Sequence, residues 1–462
     1  MNFAVFVCSL KRLRLLSFPC LFILVFAQAA FADSVDQAMQ LLASGQKAEA
    51  RRMLGRIVAA HPNNFDAQYR LGLVALDSND LTVATASLEK ASRIQPAFPN
   101  VWLALAQTYL RSNRNKLAYN AAEKAEALAP DDPVILHGLA IFYSQDQRWS
   151  RAAEFEERYA VKSGSDSEAL SRAVTFHLNA KQAKQAIELA KKGLAYDNRA
   201  DLRNLLGKAY EADGQFDKTI LELQEAIRLK PDEESYYFDL AQALLVHQNF
   251  DVAIRVLEAA REHFKNSAQL ELALGVAYYG QRRFSESVDA FLRTAALAPE
   301  VEQPYIFLGR IIEHGQDRLP EITQKFAEFA AANPANFLGP FLHAKALIAQ
   351  AGSDEKVARQ AESLLRKSIG LNNRYWESHL ELALLLERKK DLVGAAAHLE
   401  RSAQLNPGNP GVHYRLARVY DRLQKPQKAL AERMLHEKLV AAEKAAVEKH
   451  AAGAKRLEVV VK

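Results

Sequence analysis

The chain has 462 residues, of which 49% are hydrophobic and 25% are charged, and its formal net charge is +5. Glycine and proline are sparse, and this composition favours a soluble, helical chain. Both cysteines, Cys8 and Cys20, lie within residues 1–32. A chain that loses this segment therefore has no disulfide, no thiolate nucleophile and no cysteine-bound metal.

Residues 1–32 have the pattern of a secretory signal peptide. A basic region with three cations and no acid precedes an uncharged run over residues 15–32, which ends in Ala-Phe-Ala. We predict cleavage after Ala32. The alternative is an uncleaved membrane anchor, because the 18 uncharged residues just reach spanning length. Both interpretations predict that the rest of the chain is exported, periplasmic or secreted, and that only residues 1–32 contact the membrane.

Removal of this segment also changes the charge of the chain. It takes away three positive charges and no negative ones, so the net charge falls from +5 to +2. Nucleic-acid binding loses its main electrostatic support as a result. We therefore expect no nucleic-acid partner.

A repeat with a constant period runs through most of the chain. Pro62, Pro96 and Pro130 are evenly spaced, and each follows an alanine-rich stretch. A leucine followed by glycine or alanine, with tyrosine three residues later, recurs in "LRNLLGKAY", "LALGVAY" and "YRLARVY". The small residue allows two helices to approach, leucines and aromatic residues fill the gap, and proline ends the second helix.

This pattern resembles the tetratricopeptide repeat, whose period is about 34 residues and whose skeleton is W-x2-L-G-x2-Y, then A-x3-F and a closing proline. The spacing of Pro62, Pro96 and Pro130 matches that period. The resemblance covers the chain from about residue 34 to about residue 436. It implies an all-α fold, a right-handed superhelical solenoid of about 11–12 helical hairpins. Hairpins of this kind stack because one alone cannot bury its apolar face.

The regular repeats are predicted to form two blocks, residues 33–312 and 359–436. Between them, residues 313–358 contain Pro320 and extra residues at "AGSDEKVAR". This segment is interpreted either as longer loops or as a hinge or partner-docking bulge. Residues 437–462 are rich in alanine and charge and lack a closing proline, which predicts a C-terminal capping helix and a tail.

No sequence motif indicates catalysis. H-E-x-x-H, G-x-S-x-G and glycine-rich phosphate loops are absent from the sequence. The repeats also leave no stretch of about 100 residues for a catalytic domain. His379 and His413 take the position of Trp102 in their repeats, so they are interpreted as packing residues rather than metal ligands. We predict that the protein is not an enzyme and holds neither a cofactor nor a metal.

The resemblance implies a binding surface, since the first helix of each hairpin lines the concave groove in this family. The inward positions follow the Trp102 position by one, five and eight residues. The mixed polar and apolar lining there fits a peptide or an amphipathic helix. The residues predicted to bind a partner are Tyr69, Leu73, Gln107, His137, Asn204, Lys208, Phe238, Gln242, Arg310, Tyr414 and Arg418.

The predicted function is a non-catalytic scaffold or adaptor that binds a partner protein in this groove, in envelope assembly, secretion or polysaccharide export. Family members that clamp a C-terminal carboxylate use lysine, asparagine and arginine at inward positions, and only Asn204 and Lys208 are similar here. The alternative is a recognition or carrier module for a non-protein ligand such as a glycan. Aromatic rings would stack on such a ligand, but the inward rings lie too many repeats apart for one platform: Tyr69, Phe238, Tyr279 and Tyr414.

Overall fold

The computed structural model describes residues 34–164, 166–351 and 354–460, so the predicted signal peptide lies outside the described residues. The described chain forms twenty-four α-helices and one short 3₁₀ helix, without any strand. These helices follow one another as twelve hairpins. In eleven of them the two helices pack closely together, whereas Gln303–Ile311 and Leu319–Ala332 make contact through the stacked rings of Tyr305 and Phe329, whose centres are 4.0 Å apart. The predicted all-α repeat fold and the number of hairpins are confirmed. The chain divides into two compact units, Met1–Ser163 and Gly164–Lys462.

The N-terminal unit contains hairpins 1 to 4. In each hairpin the first helix is followed by a turn of a few residues and the second helix packs against it. The helices are α1 (Val35–Ala43), α2 (Lys47–Ala60), α3 (Phe65–Asp77), α4 (Leu81–Ile94), α5 (Pro99–Arg111), α6 (Asn115–Leu128), α7 (Pro133–Gln145) and α8 (Trp149–Lys162).

The C-terminal unit contains hairpins 5 to 12. Its helices are α9 (Ser167–Asn179), α10 (Ala183–Tyr196), α11 (Ala200–Ala212), α12 (Phe216–Leu229), α13 (Glu234–Val246), α14 (Phe250–His263), α15 (Ala268–Gly280), α16 (Phe284–Leu297), α17 (Gln303–Ile311), α18 (Leu319–Ala332), α19 (Leu338–Gln350), α20 (Glu355–Leu371), α21 (Trp376–Arg388), α22 (Leu392–Leu405), α23 (Pro410–Arg422) and α24 (Pro426–Val460). The 3₁₀ helix, Gln316–Arg318, lies between α17 and α18.

In six hairpins the side chain at the Trp102 position links the hairpin to the loop before it. The indole Nε1 of Trp102 donates to the carbonyl oxygen of Pro96 at 2.8 Å. This carbonyl follows the end of α4 and has no partner within a helix, so a side-chain donor satisfies it. The equivalent contacts join Gln68 to Pro62 (2.9 Å), Tyr237 to Pro231 (3.2 Å), Tyr305 to Pro299 (3.2 Å), His379 to Asn373 (3.2 Å) and His413 to Pro407 (3.0 Å).

These contacts explain the choice of residue at the Trp102 position. Tryptophan, tyrosine, glutamine and histidine all offer an N–H or O–H donor at similar reach. Leu136 cannot donate, and there Arg158 donates to the Pro130 oxygen at 2.6 Å instead. His379 and His413 are 6% and 3% exposed, as expected for the packing residues that we predicted.

The turn within most hairpins requires one residue with left-handed backbone geometry. Glycine adopts this geometry without cost, whereas other residues are strained in it. Glycine fills this turn position in two hairpins, and polar residues fill it in eight others. The residues with positive φ at this turn position are Gly45, Asn79, Asn113, Gln147, Lys181, Gly214, Gln248, Arg282, Lys390 and Gln424.

Glycines in the first helices allow the close approach that we predicted. A Cβ atom on Gly207 would lie 2.7 Å from Cγ of Leu223, and one on Gly275 would lie 2.5 Å from the ring of Phe291. Both neighbours belong to the second helix of the same hairpin. A side chain at either position would therefore force the two helices apart or displace a core residue.

Residues 313–358 form parts of hairpins 9 and 10. Pro320 lies in the first turn of α18, where proline is tolerated because that amide has no partner within the helix. One buried cluster continues from Val288 to Ala429 through this segment. The boundary between the compact units falls elsewhere, at residue 163, and the hinge in residues 313–358 stays a prediction.

Helix α24 begins at Pro426, is the second helix of hairpin 12 and continues past residue 437 to Val460. Its first turns pack on α23 through buried Ala429 and partly buried Glu432 and His436. The alanine-rich sequence after residue 436 continues this helix because no proline interrupts it. The capping role of residues 437–462 stays a prediction.

Candidate functional site

The predicted inward residues of the C-terminal unit differ in how far solvent reaches them. Phe238 is half-buried and Asn204 is buried, with 5% exposure. The other five remain exposed, which keeps a row of accessible side chains on the first helices of hairpins 6, 7, 9 and 12. These are Lys208, Gln242, Arg310, Tyr414 and Arg418.

In the N-terminal unit the predicted inward residues are half-buried: Tyr69, Leu73, Gln107 and His137. The ring of Tyr69 lies at 6.0 Å from that of Phe65 and 5.5 Å from that of Phe98. Nδ1 of His137 lies 3.0 Å from Oε2 of Glu156, which is fully buried. Contacts within the protein therefore already use the ring of Tyr69 and one nitrogen of His137.

Asn204 and Lys208 hold a carboxylate of the protein itself. Nδ2 of Asn204 donates to Oδ2 of Asp239 at 2.9 Å, and Nζ of Lys208 lies 2.7 Å from the same oxygen. Asp239 belongs to the next hairpin, where it lies two residues after Tyr237, the residue at the Trp102 position. The two residues that resembled a clamp for a partner's C-terminus thus join hairpins 6 and 7.

A cavity of about 220 Å³ opens beside this contact. Val246 at its edge is 66% exposed. Oε1 of Glu211 lies 2.9 Å from Nε2 of His247, while its Oε2 is buried without a hydrogen-bond partner. The lining combines apolar and acidic groups with one cation: Lys208, Glu211, Thr219, Leu223, Asp239, Gln242, Ala243 and Val246.

Phe238 contributes to the core as well as to the surface. It packs against the buried cluster that contains Leu240 and Leu244 of its own helix. We expected its ring to face solvent, but only part of it does. Gln242, an inward residue, and Val246, the last residue of the same helix, are more accessible than Phe238.

The exposed arginines of hairpins 9 and 12 lie over aromatic rings. The guanidinium carbon of Arg310 is 5.4 Å from the ring centre of Phe307, and that of Arg418 is 5.9 Å from the ring centre of Tyr414. Such cation–π contacts orient a guanidinium without neutralising it. Both arginines therefore keep their charge available to a ligand.

The sequence analysis missed one inward residue and two neighbouring charged residues in hairpins 10 to 12. Lys345 takes the position of Lys208 and Arg310, five residues after the Trp102 position, which Pro340 occupies in this hairpin. Glu381 and Arg415 lie two residues after His379 and His413, the position of Asp239. The closing proline precedes the Trp102 position by six residues, as Pro231 precedes Tyr237. The same count from Pro334 reaches Pro340 and would have identified Lys345 five residues later.

Two further searches cover only the described residues. No group of three or more histidine, cysteine, aspartate or glutamate side chains there could hold a metal ion. Among the same residues, no helix combines the length and the apolar character needed to cross a membrane.

The stacked helical hairpins define this protein as a helical repeat protein. Comparison with family models identifies the repeat family. Models described as tetratricopeptide repeat match residues 35–99, 99–142, 200–233, 238–302 and 386–432, together more than half of the chain. The chain belongs to the tetratricopeptide repeat family.

Curated relatives share only part of their length with this chain. The peroxisomal targeting signal receptor of Saccharomyces cerevisiae is 22% identical over 259 residues, which are 56% of this chain and 38% of the receptor. The protein CTR9 homolog of Arabidopsis thaliana is 21% identical over 266 residues, 54% of this chain and 24% of that protein. The chain thus spans less than half the length of these relatives.

Solved structures that match include the Naa15/Naa10 complex bound to HypK-THB, with a TM-score of 0.39, 14% identity and coverage of 87% of this chain and 67% of that one. The Cut9–Hcn1 hetero-tetramer of the APC/C matches with a TM-score of 0.37 and 12% identity, over 87% of this chain and 92% of that one.

Proposed function

We propose that this protein is a non-catalytic scaffold that binds a segment of a partner protein along the first helices of its C-terminal unit. The main support is the exposed inward row, with Gln242 and Val246 beside the cavity of hairpins 6 and 7. This row offers polar and charged side chains together with an apolar group, a combination that can meet a partner segment laid along the helices. Relatives named as a targeting signal receptor agree with a role in protein recognition.

The proposed setting is the cell envelope. The signal-peptide pattern of residues 1–32 is its only support. A scaffold there would serve envelope assembly, secretion or polysaccharide export. Fractionation of cells that express the full chain tests this setting, with recovery in the cytoplasm as the contrary result.

A matched pair of variants tests the binding surface. Val246 and Leu221 are 66% and 64% exposed, but Val246 ends a first helix and Leu221 lies on a second helix. Both can be replaced by glutamate with little cost to the fold because neither side chain is in the core. We expect Val246→Glu, and more strongly Gln242→Glu/Val246→Glu, to reduce capture of a partner from envelope extract.

The control variant Leu221→Glu should capture that partner as the parent chain does. Equal loss of capture in both variants would indicate that the second helices take part or that the exposed charge acts generally. Unchanged capture by Gln242→Glu/Val246→Glu would contradict the proposed surface. Circular dichroism and thermal unfolding of each variant show that the fold is intact.

A further inference from the structure

Acids and cations are unbalanced on the first helices of hairpins 9 to 12. Two acids are neutralised within the protein, Glu387 by Arg422 at 2.8 Å and Asp421 by Arg433 at 2.7 Å. Five other cations on these helices have no carboxylate oxygen within 4.0 Å among the described residues: Arg310, Lys345, Arg388, Arg415 and Arg418. All of them are exposed except Lys345, which is half-buried.

Two acids on these helices, Glu377 and Glu381, and Glu313 just beyond the end of α17 also lack a cation within that distance in the described part of the chain. Glu377 accepts a hydrogen bond from the hydroxyl of Tyr375 at 2.7 Å. Five cations against three acids leave an excess of two positive charges on this face. Hairpins 5 to 7 show no such excess, since Lys208 pairs with Asp239 and Arg199 pairs with Asp201.

Lys345 and Glu381 differ from the matching pair in hairpins 6 and 7, because they do not neutralise each other through an ion pair. They occupy the same positions on hairpins 10 and 11 as Lys208 and Asp239 on hairpins 6 and 7, yet they form no ion pair. Phe341 stands where Asn204 supplies a second donor to Asp239. Burial raises the pKa of Glu381, and nearby Lys345 only partly opposes this effect. The carboxylate is thus poorly solvated, and no cation among the residues that the structure describes lies close enough to form an ion pair with it.

The same face carries apolar groups between the cations. Leu380 and Leu384 are half-buried on α21, and the ring of Tyr414 is 47% exposed beneath Arg418. A uniformly charged polyanion would meet these apolar groups and the carboxylates of Glu377 and Glu381. A protein segment with both acidic and apolar side chains complements the whole surface.

We propose that the first helices of hairpins 9 to 12 bind an acidic, partly apolar segment of a partner protein, held by Arg310, Lys345, Arg415 and Arg418. This inference rests on the proposed scaffold function and names the chemistry of the partner. Guanidinium groups suit this role because they bind carboxylates through two parallel hydrogen bonds. Glu381 lowers the affinity, since its charge opposes the ligand.

The test uses the full chain without residues 1–32 and a short fluorescent peptide of glutamate, leucine and serine. Two peptides of the same length carry glutamine or lysine in place of glutamate. Fluorescence anisotropy should show that only the glutamate peptide binds, and more weakly as salt rises. Equal binding of the glutamine peptide would overturn the proposal.

Three variants sharpen this test. Arg415→Glu/Arg418→Glu should weaken binding of the glutamate peptide by about tenfold or more because attraction becomes repulsion. Arg359→Glu/Lys367→Glu, which reverses two exposed cations on the second helix α20, should bind as the parent chain does. Glu381→Gln should bind about threefold more tightly, since one opposing charge is removed. A gain of binding cannot arise from misfolding.

Unchanged affinity in both Arg415→Glu/Arg418→Glu and Glu381→Gln would overturn the acidic-segment site. A single-stranded oligonucleotide that binds more tightly than the glutamate peptide, and is lost in the arginine variant, would also overturn it in favour of nucleic acid. The scaffold function is tested separately. If the glutamate peptide does not bind, loss of partner capture in Gln242→Glu/Val246→Glu would still support the scaffold function.

Discussion

The carboxylate of Glu271 lies 3.4 Å from the guanidinium of Arg293, yet Glu271 is only 3% exposed. It occupies the position of Trp102 in hairpin 8 and cannot donate to the carbonyl of Lys265, six residues earlier. Its Oε2 is buried without a hydrogen bond. Burial raises the pKa of Glu271, although Arg293 and Arg261 oppose this shift.

Glu271→Gln should therefore stabilise the protein at neutral pH. Glutamine removes a buried charge and supplies the donor that Gln68 provides in hairpin 2, a contact worth about 0.5–1.5 kcal/mol. The raised pKa means that the folded state binds this proton at higher pH than the unfolded state does. The advantage of the variant should shrink as pH falls through the folded pKa of Glu271. Denaturant midpoints measured at several pH values test both expectations.

The regular period of the repeat was enough to predict about 11–12 hairpins and the packing role of His379 and His413. It was not enough to predict which inward side chains stay free, because pairing occurs between hairpins. The bond from Asn204 to Asp239 spans 35 residues. Its formation depends on how two first helices lie side by side, which no local pattern specifies. Lys345 was missed because Pro340 replaces the aromatic residue that anchors the alignment.

Leu206 and Gly207 test the hairpin contact. Leu206 is 2% exposed, and Leu206→Ala should lower the free energy of unfolding by about 2–5 kcal/mol. Gly207→Leu should cost at least as much, because a Cβ there already lies 2.7 Å from Leu223. Thermal and urea unfolding measure both variants. An unchanged midpoint for Gly207→Leu would show that helices α11 and α12 are not in close contact.

The left-handed turn position offers a stabilising substitution. Gln248 is exposed with φ of 58°, and glycine adopts this geometry without strain. Gln248→Gly should raise the free energy of unfolding by up to about 1 kcal/mol. Gly214→Ala makes the reverse change at φ of 75° and should lower it by a similar amount. Shifts of the two midpoints in the same direction would contradict this account.

The contact between His379 and His398 predicts a pH dependence. Their Nδ1 atoms lie 3.0 Å apart, and Nε2 of His379 must carry a hydrogen because it faces the carbonyl of Asn373. Burial lowers the pKa of both histidines; Arg401 lowers that of His379 further, and His379 itself lowers that of His398. Unfolded imidazoles bind protons below about pH 6.5, whereas the folded pair binds protons only at lower pH.

The pair should therefore leave stability unchanged above about pH 6.5 and reduce it as pH falls from there to the folded pKa values. His379→Gln keeps a donor to Asn373, as Gln68 does to Pro62, and removes one titrating group. We expect the variant to lose less stability than the parent chain between neutral and mildly acidic pH. Parallel pH profiles of the urea midpoints would exclude the pair as the cause.

Phe238 and Leu240 separate the binding surface from the core within one helix. Leu240 is 2% exposed, so Leu240→Ala should lower the free energy of unfolding by about 2–5 kcal/mol. Phe238 is half-buried, so Phe238→Ala should cost less stability. If a partner covers the exposed part of the ring, Phe238→Ala should weaken capture by about 1–3 kcal/mol. This apolar contact should also persist at high salt, unlike one carried by Lys208 or Arg310. A variant Phe238→Ala that loses as much stability as Leu240→Ala while capturing the partner normally would assign this ring to the core alone.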